Sequence, residues 1–192
     1  MENNFNFEEI LEKFGNKFDE KFMEQRKVFL WGPVHDESAK QVVNRLLFLE
    51  AADPGKEITF YINSPGGVVT SGLVMIDAMK MISSPVKTVC MGMCASMGAM
   101  LLSQGEKGKR EMWSHGRVMI HQPSIGGAYG QASDLEITAE QMQKTKEVLA
   151  VMLAESCKKS FDTIMKDFDR DFWMNAEEAL GYGIVDSISK KV

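Results

Sequence analysis

The amino-acid sequence predicts an α/β fold with a largely parallel sheet. Short apolar runs that suit β-strands alternate with segments of helical hydrophobic periodicity, which is the pattern of βαβ units. Three sets of strand, turn and helix follow one another between residues 28 and 102. A chain of 192 residues suits one domain with a substantial core. We therefore expect an N-terminal segment, residues 1–25, followed by a single domain over residues 26–192.

The N-terminal segment has an apolar stripe at helical spacing, with Glu and Lys between its members. The stripe consists of Phe7, Ile10, Leu11, Phe14, Phe18 and Phe22. It predicts an amphipathic helix, or two helices that break at Gly15. Such a stripe usually packs into a core, and an inter-subunit or axial role is the alternative.

The first unit of the domain begins with a predicted strand, Val28–Trp31, which Gly32 and Pro33 close. Asp36 is the predicted N-cap of a helix that runs to about Glu50. The predicted apolar face of this helix comprises Val42, Val43, Leu46, Leu47 and Leu49.

The second and third units repeat this order. The second has a predicted strand, Ile58–Ile62, and a helix over about 68–82. The third has a strand over Val86–Met91, a turn at Ser96 and a helix through Leu102.

Two loops and a long helix follow. Residues 104–110 form a charged run that predicts a solvated loop, and the glycine-rich residues 122–132 predict a mobile loop beside the site. Ser133 and Glu136 fit a capping box, which opens a helix over about 133–157. This helix either packs along the sheet or projects to a partner, and packing is the more usual arrangement.

The composition argues against several classes of partner. The formal net charge is −5, and basic residues are not interleaved with aromatic ones as in nucleic-acid grooves. No apolar stretch reaches membrane-spanning length, and the start of the chain lacks a signal-peptide pattern. We expect a cytoplasmic protein that binds neither nucleic acid nor membrane.

The three cysteines, Cys90, Cys94 and Cys157, form no CxxC pair and have no metal-like histidine spacing. They predict reduced, buried thiols. Cys94 lies two residues before Ser96, but a cysteine in an Ala- and Met-rich run is typical of packing. We expect no metal site.

A serine and a histidine each follow an apolar strand-like run, Ser96 after Val86–Met91 and His121 after residues 117–120. The ends of parallel strands are where reactive groups gather, so the two side chains converge if their strands are neighbours. A serine hydroxyl needs such a base nearby to act as a nucleophile. The sequence therefore predicts a serine hydrolase.

An oxyanion hole is predicted beside Ser96. Gly66 and Gly67 occupy an equivalent turn from strand to helix, where no side chain blocks the approach of a substrate carbonyl. The N–H groups of Gly67 and Met97 are the predicted donors. The nucleophile elbow of α/β-hydrolases is not matched, because Cys94 replaces its first glycine.

Sequence spacing alone does not identify which carboxylate would orient His121. The candidates are Asp167, Asp169 and Asp171.

Several motifs in order resemble the proteolytic subunits of Clp proteases (ClpP), which are serine endopeptidases of the crotonase-like fold. The resemblance covers residues 18–188. The matching segments are Tyr61–Gly67, Cys90–Ala99, Gly105–Arg110, Val118–Pro123, Gly130–Asp134 and Asp169–Asp171. It implies repeated ββα and βαβ units with a projecting handle helix, here 133–157.

The resemblance also implies roles and partners. Ser96 is then the nucleophile, His121 the base and Asp171 the acid, while Asp169 and Arg170 match a pair that the family uses where rings meet. Two heptameric rings, homomeric or mixed, would stack, and an AAA+ unfoldase would deliver proteins. No cofactor is expected in this chain, because ATP is used by the partner ATPase and short peptides need none.

The positions that match the unfoldase-docking pocket of the family depart from its apolar pattern. They are Thr59, Met81, Glu111 and Ser189. A charged side chain in an apolar groove weakens burial of a hydrophobic loop. Compared with the family pattern, the loop between Pro123 and Gly130 has one extra residue. These departures suggest a subunit of a mixed assembly in which another chain supplies the docking face.

Two other functions are weighed against the peptidase. One is a structural or regulatory subunit of a mixed Clp ring, although such a subunit would commonly lose a member of the triad. The other is a crotonase-type acyl-CoA enzyme, which would share the fold and a glycine oxyanion hole but would employ Glu acid/base groups.

Overall fold

The computed structural model describes residues 17–127 and 129–189. The strands in this part are β1 Lys27–Trp31, β2 Ile58–Ser64, β3 Val86–Ala95, β4 Arg110–Trp113, β5 Arg117–Ile120, β6 Phe172–Met174 and β7 Ser187–Ser189. The helices are α1 17–24, α2 Asp36–Ala52, α3 Val69–Met81, α4 Met97–Ser103, α5 Ala132–Cys157, α6 Phe161–Asp167 and α7 Ala176–Tyr182.

The strands form one sheet with the order β1-β2-β3-β4-β7, and β5 and β6 continue from the end of β3. Every pairing is parallel except that of β5 with β6. The α/β prediction is therefore confirmed. β3 is shared, because its residues 88–90 pair with β4 while Met93–Ala95 pair with β5. Gly92, at φ 74°, separates the two halves.

The core lies between the sheet and its helices. Along β2, buried and half-buried residues alternate strictly, and Ile58, Phe60 and Ile62 are fully buried. This two-residue period is that of a strand with one face in the core. Each fully buried aliphatic or aromatic side chain contributes about 2 kcal/mol to stability.

The start of α2 corrects one prediction. The N-cap is His35, not Asp36: His35 Nδ1 accepts the Ser38 N–H at 3.2 Å, and Ser38 Oγ accepts the His35 N–H at 3.0 Å. Asp36 Oδ1 instead accepts the hydroxyl of Ser71. Leu47 was predicted on the apolar face but is 50% exposed, because the next position along a helix is rotated by about 100° from the buried Leu46.

The charged run 104–110 is only partly a solvated loop. Residues 106–108 are exposed, but Gln104 and Arg110 are buried. Arg110 begins β4, and its guanidinium donates two hydrogen bonds to Asp186, at 2.9 and 2.6 Å. The prediction of a solvated loop was wrong at Arg110, because its charge is buried against Asp186. Hydrophobic periodicity does not detect a buried ion pair.

Helix α5 ends at Cys157 as predicted but lacks the predicted capping box at Ser133. Its N-cap is Gln131, without a side-chain cap bond. The buried residues of α5 lie near its C-terminus: Leu149, Ala150, Leu153 and Cys157. The N-terminal part, up to residue 148, is exposed or half-buried. The C-terminal part of the helix therefore packs against the domain, and its N-terminal part projects from it.

The N-terminal stripe is only partly observable. Phe7, Ile10, Leu11 and Phe14 lie outside the described residues, and Phe18 is 62% exposed. Phe22 packs on Phe29 of β1, with ring centroids 4.7 Å apart.

The three cysteines are buried, as predicted, and each is a free thiol in the structure. No helix in the described ranges combines the length and apolar character that a membrane span requires.

Candidate active site

Ser96 occupies a sharp turn between β3 and α4. Its backbone lies at φ 53° and ψ −121°, a region that non-glycine residues rarely adopt and that costs about 1–3 kcal/mol. A hydrogen bond from the Ser96 N–H to the Met119 carbonyl, at 2.9 Å, stabilises this turn. The side chain is half-buried, and its hydroxyl faces His121.

His121 reaches Ser96 because β5 lies beside the end of β3. In this parallel pairing Ala95 is opposite Met119, so the residues that follow the two strands emerge at the same edge of the sheet. His121 Nε2 and Ser96 Oγ are 2.9 Å apart. The histidine side chain is 25% exposed, so the ring is held by protein on most of its surface.

Asp171 reaches His121 through the only antiparallel pairing of the described sheet. Ile120 is opposite Phe172, and the next pair in that register is His121 with Asp171. Asp171 Oδ1 lies 2.9 Å from His121 Nδ1. The three side chains thus form one continuous chain of hydrogen bonds.

The two alternative carboxylates have other partners. Asp167 accepts the Tyr182 hydroxyl at 2.9 Å, and Asp169 accepts Gln122 Nε2 at 3.2 Å. Among these three aspartates, Asp171 is the one in contact with His121 within the described chain.

Gly66 packs against the Ser96 turn so closely that a side chain would not fit. A Cβ atom at Gly66, which has φ 90°, would lie 2.6 Å from Ser96 Cβ and 2.8 Å from Met97 N. Gly67, at φ 148°, would collide through its Cβ with the Val34 carbonyl. Both glycines are therefore required by space as well as by backbone conformation.

Two backbone N–H groups near Ser96 are available as donors. Neither Gly67 N–H nor Met97 N–H donates a hydrogen bond to any of the described residues. Met97 is the first residue of α4, where N–H groups lack intrahelical acceptors. The Gly66 N–H is already used, since it donates to Ser64 Oγ at 3.1 Å.

Gln122 is a site residue that sequence reasoning missed. Its Nε2 donates to the Asp169 carbonyl at 2.8 Å, and its N–H donates to the Phe168 carbonyl at 2.6 Å. It thereby ties the residue after His121 to the segment that carries Asp171. Its position next to His121 was the only sequence signal for it.

The predicted ring-contact pair is exposed in the single chain. Arg170 is 83% exposed in its side chain and donates to the Asp169 carbonyl at 2.8 Å.

The predicted docking positions come together only in part. Glu111 is bound by Lys87 Nζ at 2.8 Å and by the Ser189 hydroxyl at 2.8 Å. Burial raises the pKa of Glu111, but the hydrogen bonds from Lys87 and Ser189 outweigh it and hold the pKa below its usual value. Thr59 pairs with Lys87 in the sheet, and Met81 is 86% exposed at the end of α3.

No group of three or more His, Cys, Asp or Glu side chains in the described part of the chain is arranged to hold a metal ion.

A family model described as Clp protease matches residues 12–192. The matched residues include Gly66, Gly67, Ser96 and His121, as well as the segment that carries Asp171.

Proposed function

The chain belongs to the Clp protease family, and from this we propose that it is a serine endopeptidase subunit with Ser96 as nucleophile, His121 as base and Asp171 as orienting acid. The observation that carries the proposal is the hydrogen-bond chain from Ser96 Oγ through His121 to Asp171, with both contacts at 2.9 Å. The substrates would be unfolded proteins and short peptides.

The hydrogen-bond order defines the first step. In the resting site, His121 Nδ1–H donates to Asp171, so Nε2 carries the lone pair that accepts the Ser96 hydroxyl. As Ser96 Oγ attacks the peptide carbonyl, its proton moves to His121 Nε2. Asp171 stabilises the resulting imidazolium and keeps its ring in place without taking the proton.

The charge that develops on the carbonyl oxygen needs donors that are already in position. The free N–H groups of Gly67 and Met97 would supply them, and each such donor contributes about 3 kcal/mol to lowering the barrier. When the tetrahedral intermediate collapses, the C–N bond breaks and His121 gives its proton to the leaving amine. Water then attacks the acyl-Ser96 ester by the reverse route, which releases the acid and restores the hydroxyl.

We further propose that the subunit assembles into two stacked heptameric rings. The projecting part of α5 presents Leu135 and Ile137, which are 38% and 58% exposed, and such side chains gain stability when a partner covers them. Asp169 and Arg170 would contact the opposite ring. A partner AAA+ ATPase would use ATP to unfold proteins, whereas short peptides would be cut without it. We place this assembly in the cytoplasm.

A second candidate function is that of a structural or regulatory subunit in a mixed Clp ring. It is favoured by the polar network of Lys87, Glu111 and Ser189 at positions where the family resemblance implies an apolar docking pocket. Inserting a hydrophobic loop there would desolvate a carboxylate and an ammonium, which is costly. A pull-down from the native cell that contains no second Clp-type chain would count against this function.

Labelling with a serine-directed fluorophosphonate tests the proposed chemistry. We expect covalent modification of Ser96 in the wild type and none at this position in Ser96→Ala. An acyl-CoA enzyme of the crotonase type, or a ring subunit without activity, has no activated serine and would remain unlabelled.

A further inference from the structure

Tyr182, the last residue of α7, contacts both ends of the segment that carries Asp171. Its hydroxyl donates to Asp167 Oδ2 at 2.9 Å, at the C-terminus of α6. Its ring packs on that of Phe172, with centroids 5.6 Å apart. Because Asp167 and Phe172 lie on either side of Asp171 in the sequence, one side chain fastens the segment at two points.

Asp171 has few restraints of its own. Its side chain is 60% exposed, and residues 169 and 170 are also exposed and belong to neither helix nor strand. The single hydrogen bond to His121 restrains a carboxylate this exposed only weakly, because water competes for it. Its position therefore depends on the anchors at either end of the segment. Phe168, which is buried, and the pairing of Phe172 with Ile120 are two of them.

We propose that Tyr182 is a positioning residue of the peptidase: it holds residues 167–172 so that Asp171 stays within hydrogen-bond distance of His121. The proposal rests on the proposed function, which gives Asp171 its orienting role. Within the described residues, the recorded side-chain interactions of Tyr182 are with Asp167, Phe172 and Lys159, so we place its effect on the site through the segment that carries Asp171.

The environment of Tyr182 keeps its hydroxyl a donor. Burial, followed by the hydrogen bond to Asp167, raises the pKa of the phenol well above its ordinary value, so the proton stays on the oxygen throughout the working pH range. The ammonium of Lys159 lies 4.3 Å from the ring centroid, a cation–π contact that also restrains the ring. The hydroxyl of Tyr182 therefore remains the donor in the bond to Asp167.

The substitution Tyr182→Phe removes the hydroxyl and keeps the ring. With a short fluorogenic peptide we expect kcat to fall about tenfold, since small displacements of an orienting group have effects of this size. KM should stay within about twofold, because Tyr182 belongs neither to the proposed nucleophile and base nor to the proposed oxyanion hole. Tyr61→Phe is the matched control: Tyr61 is half-buried in β2, stacks on Phe29 with centroids 5.0 Å apart, and should keep wild-type kcat.

Asp167→Ala removes the same hydrogen bond from its other end and should lower kcat by a similar factor. In an Asp171→Asn background, Tyr182→Phe should cause no further fall, because the group it positions is no longer functional. A fall by the same factor in both backgrounds would indicate general loosening and would overturn the proposal. A kcat for Tyr182→Phe equal to that of Tyr61→Phe would overturn it as well.

Hydrogen exchange separates this proposal from the proposed function. If the wild type cuts no peptide and takes no fluorophosphonate, the peptidase assignment fails. The anchoring claim is then judged on the backbone amides of residues 168–174. Faster exchange of these amides in Tyr182→Phe than in Tyr61→Phe would support the anchor, and equal exchange would contradict it.

Discussion

At the scale of single residues, Asp171 is the most exposed member of the hydrogen-bond chain. Its side chain is 60% exposed, against 25% for His121. An exposed contact of this kind contributes little to stability, so in the proposed mechanism the role of Asp171 is to set the orientation and tautomer of the imidazole. The strained backbone of Ser96 is consistent with this view, because strain of that kind persists where function needs a fixed geometry.

Replacing Asp171 by Asn should therefore lower kcat for a short peptide by about 10⁴-fold, because the amide favours the wrong tautomer of His121. The melting temperature should change little. Asp162→Asn, at an exposed position of α6, is the control and should keep wild-type kcat. An Asp171→Asn variant with nearly full activity would exclude Asp171 as the orienting acid.

Gly66→Ala should cost stability and activity together. The added methyl group would meet Ser96 Cβ, the Ala95 carbonyl and Met97 N at 2.6–2.8 Å, at a φ of 90°. We expect a loss of about 2–4 kcal/mol in the free energy of unfolding, measured by urea denaturation. Gly181→Ala, inside α7 with nothing within 4 Å of the added Cβ, should instead be neutral or stabilise by about 0.5–1 kcal/mol. Equal effects of the two substitutions would contradict this account of the turn.

At the scale of the elements, the site depends on how three strands are paired. β3 carries Ser96, β5 carries His121 and β6 follows Asp171, and each side chain lies just beyond or just before its strand. The local patterns predicted β3, the convergence of Ser96 with His121, and α5. They did not identify which aspartate orients His121, because the register of β5 against β6 depends on residues 52 to 56 positions apart and has no local signature.

The sequence did not predict the shortest strands, nor the strand that begins with a buried charge. β6 and β7 have three residues each, too few for a period of two to be recognised. β4 begins with Arg110, whose burial is made possible by Asp186, 76 residues later along the chain. Tertiary partners of this kind override a local pattern that indicates solvent exposure.

The Arg110–Asp186 pair allows a test at this scale. Asp186→Ala leaves a guanidinium that is 5% exposed without its counter-charge, and should lower the free energy of unfolding by about 3–5 kcal/mol. Asp53→Ala breaks an exposed pair with Lys56 and should cost less than about 1 kcal/mol. Comparable losses in the two variants would show that Arg110 does not depend on Asp186.

The same pair makes stability depend on pH. Burial raises the pKa of Asp186, but the hydrogen bonds and charge of Arg110 outweigh it and keep the pKa below its ordinary value. A carboxyl with a lowered pKa in the folded state stabilises fully above its unfolded pKa of about 4, and this contribution is lost as the pH falls through the folded pKa. The stability difference between wild type and Asp186→Ala should therefore shrink below about pH 4. A difference that stays constant down to pH 2 would contradict the ion pair.

At the scale of the whole molecule, the described part of the chain leaves the first part of α5 uncovered. Ile137 and Val148 are 58% and 52% exposed there, which is unfavourable for an isolated subunit and would be relieved in the proposed assembly. Ile137→Glu should split the proposed tetradecamer into single rings, as measured by sedimentation velocity, because the substitution would bury a charge between the rings. Gln141→Glu, on the same helix at an exposed polar position, should keep the wild-type mass. Equal masses for both variants would remove α5 from the ring contact.

The central claim is that Ser96 is the nucleophile of a self-assembling peptidase, and hydrolysis of a short fluorogenic peptide without ATP tests it most directly. Wild type and Ser96→Ala should be assayed with the sedimentation mass read on the same samples. We predict hydrolysis by a wild-type tetradecamer and a loss of at least about 10⁴-fold in a Ser96→Ala variant of equal mass. Activity that survives Ser96→Ala, or a correctly assembled wild type that cuts nothing, would contradict the account.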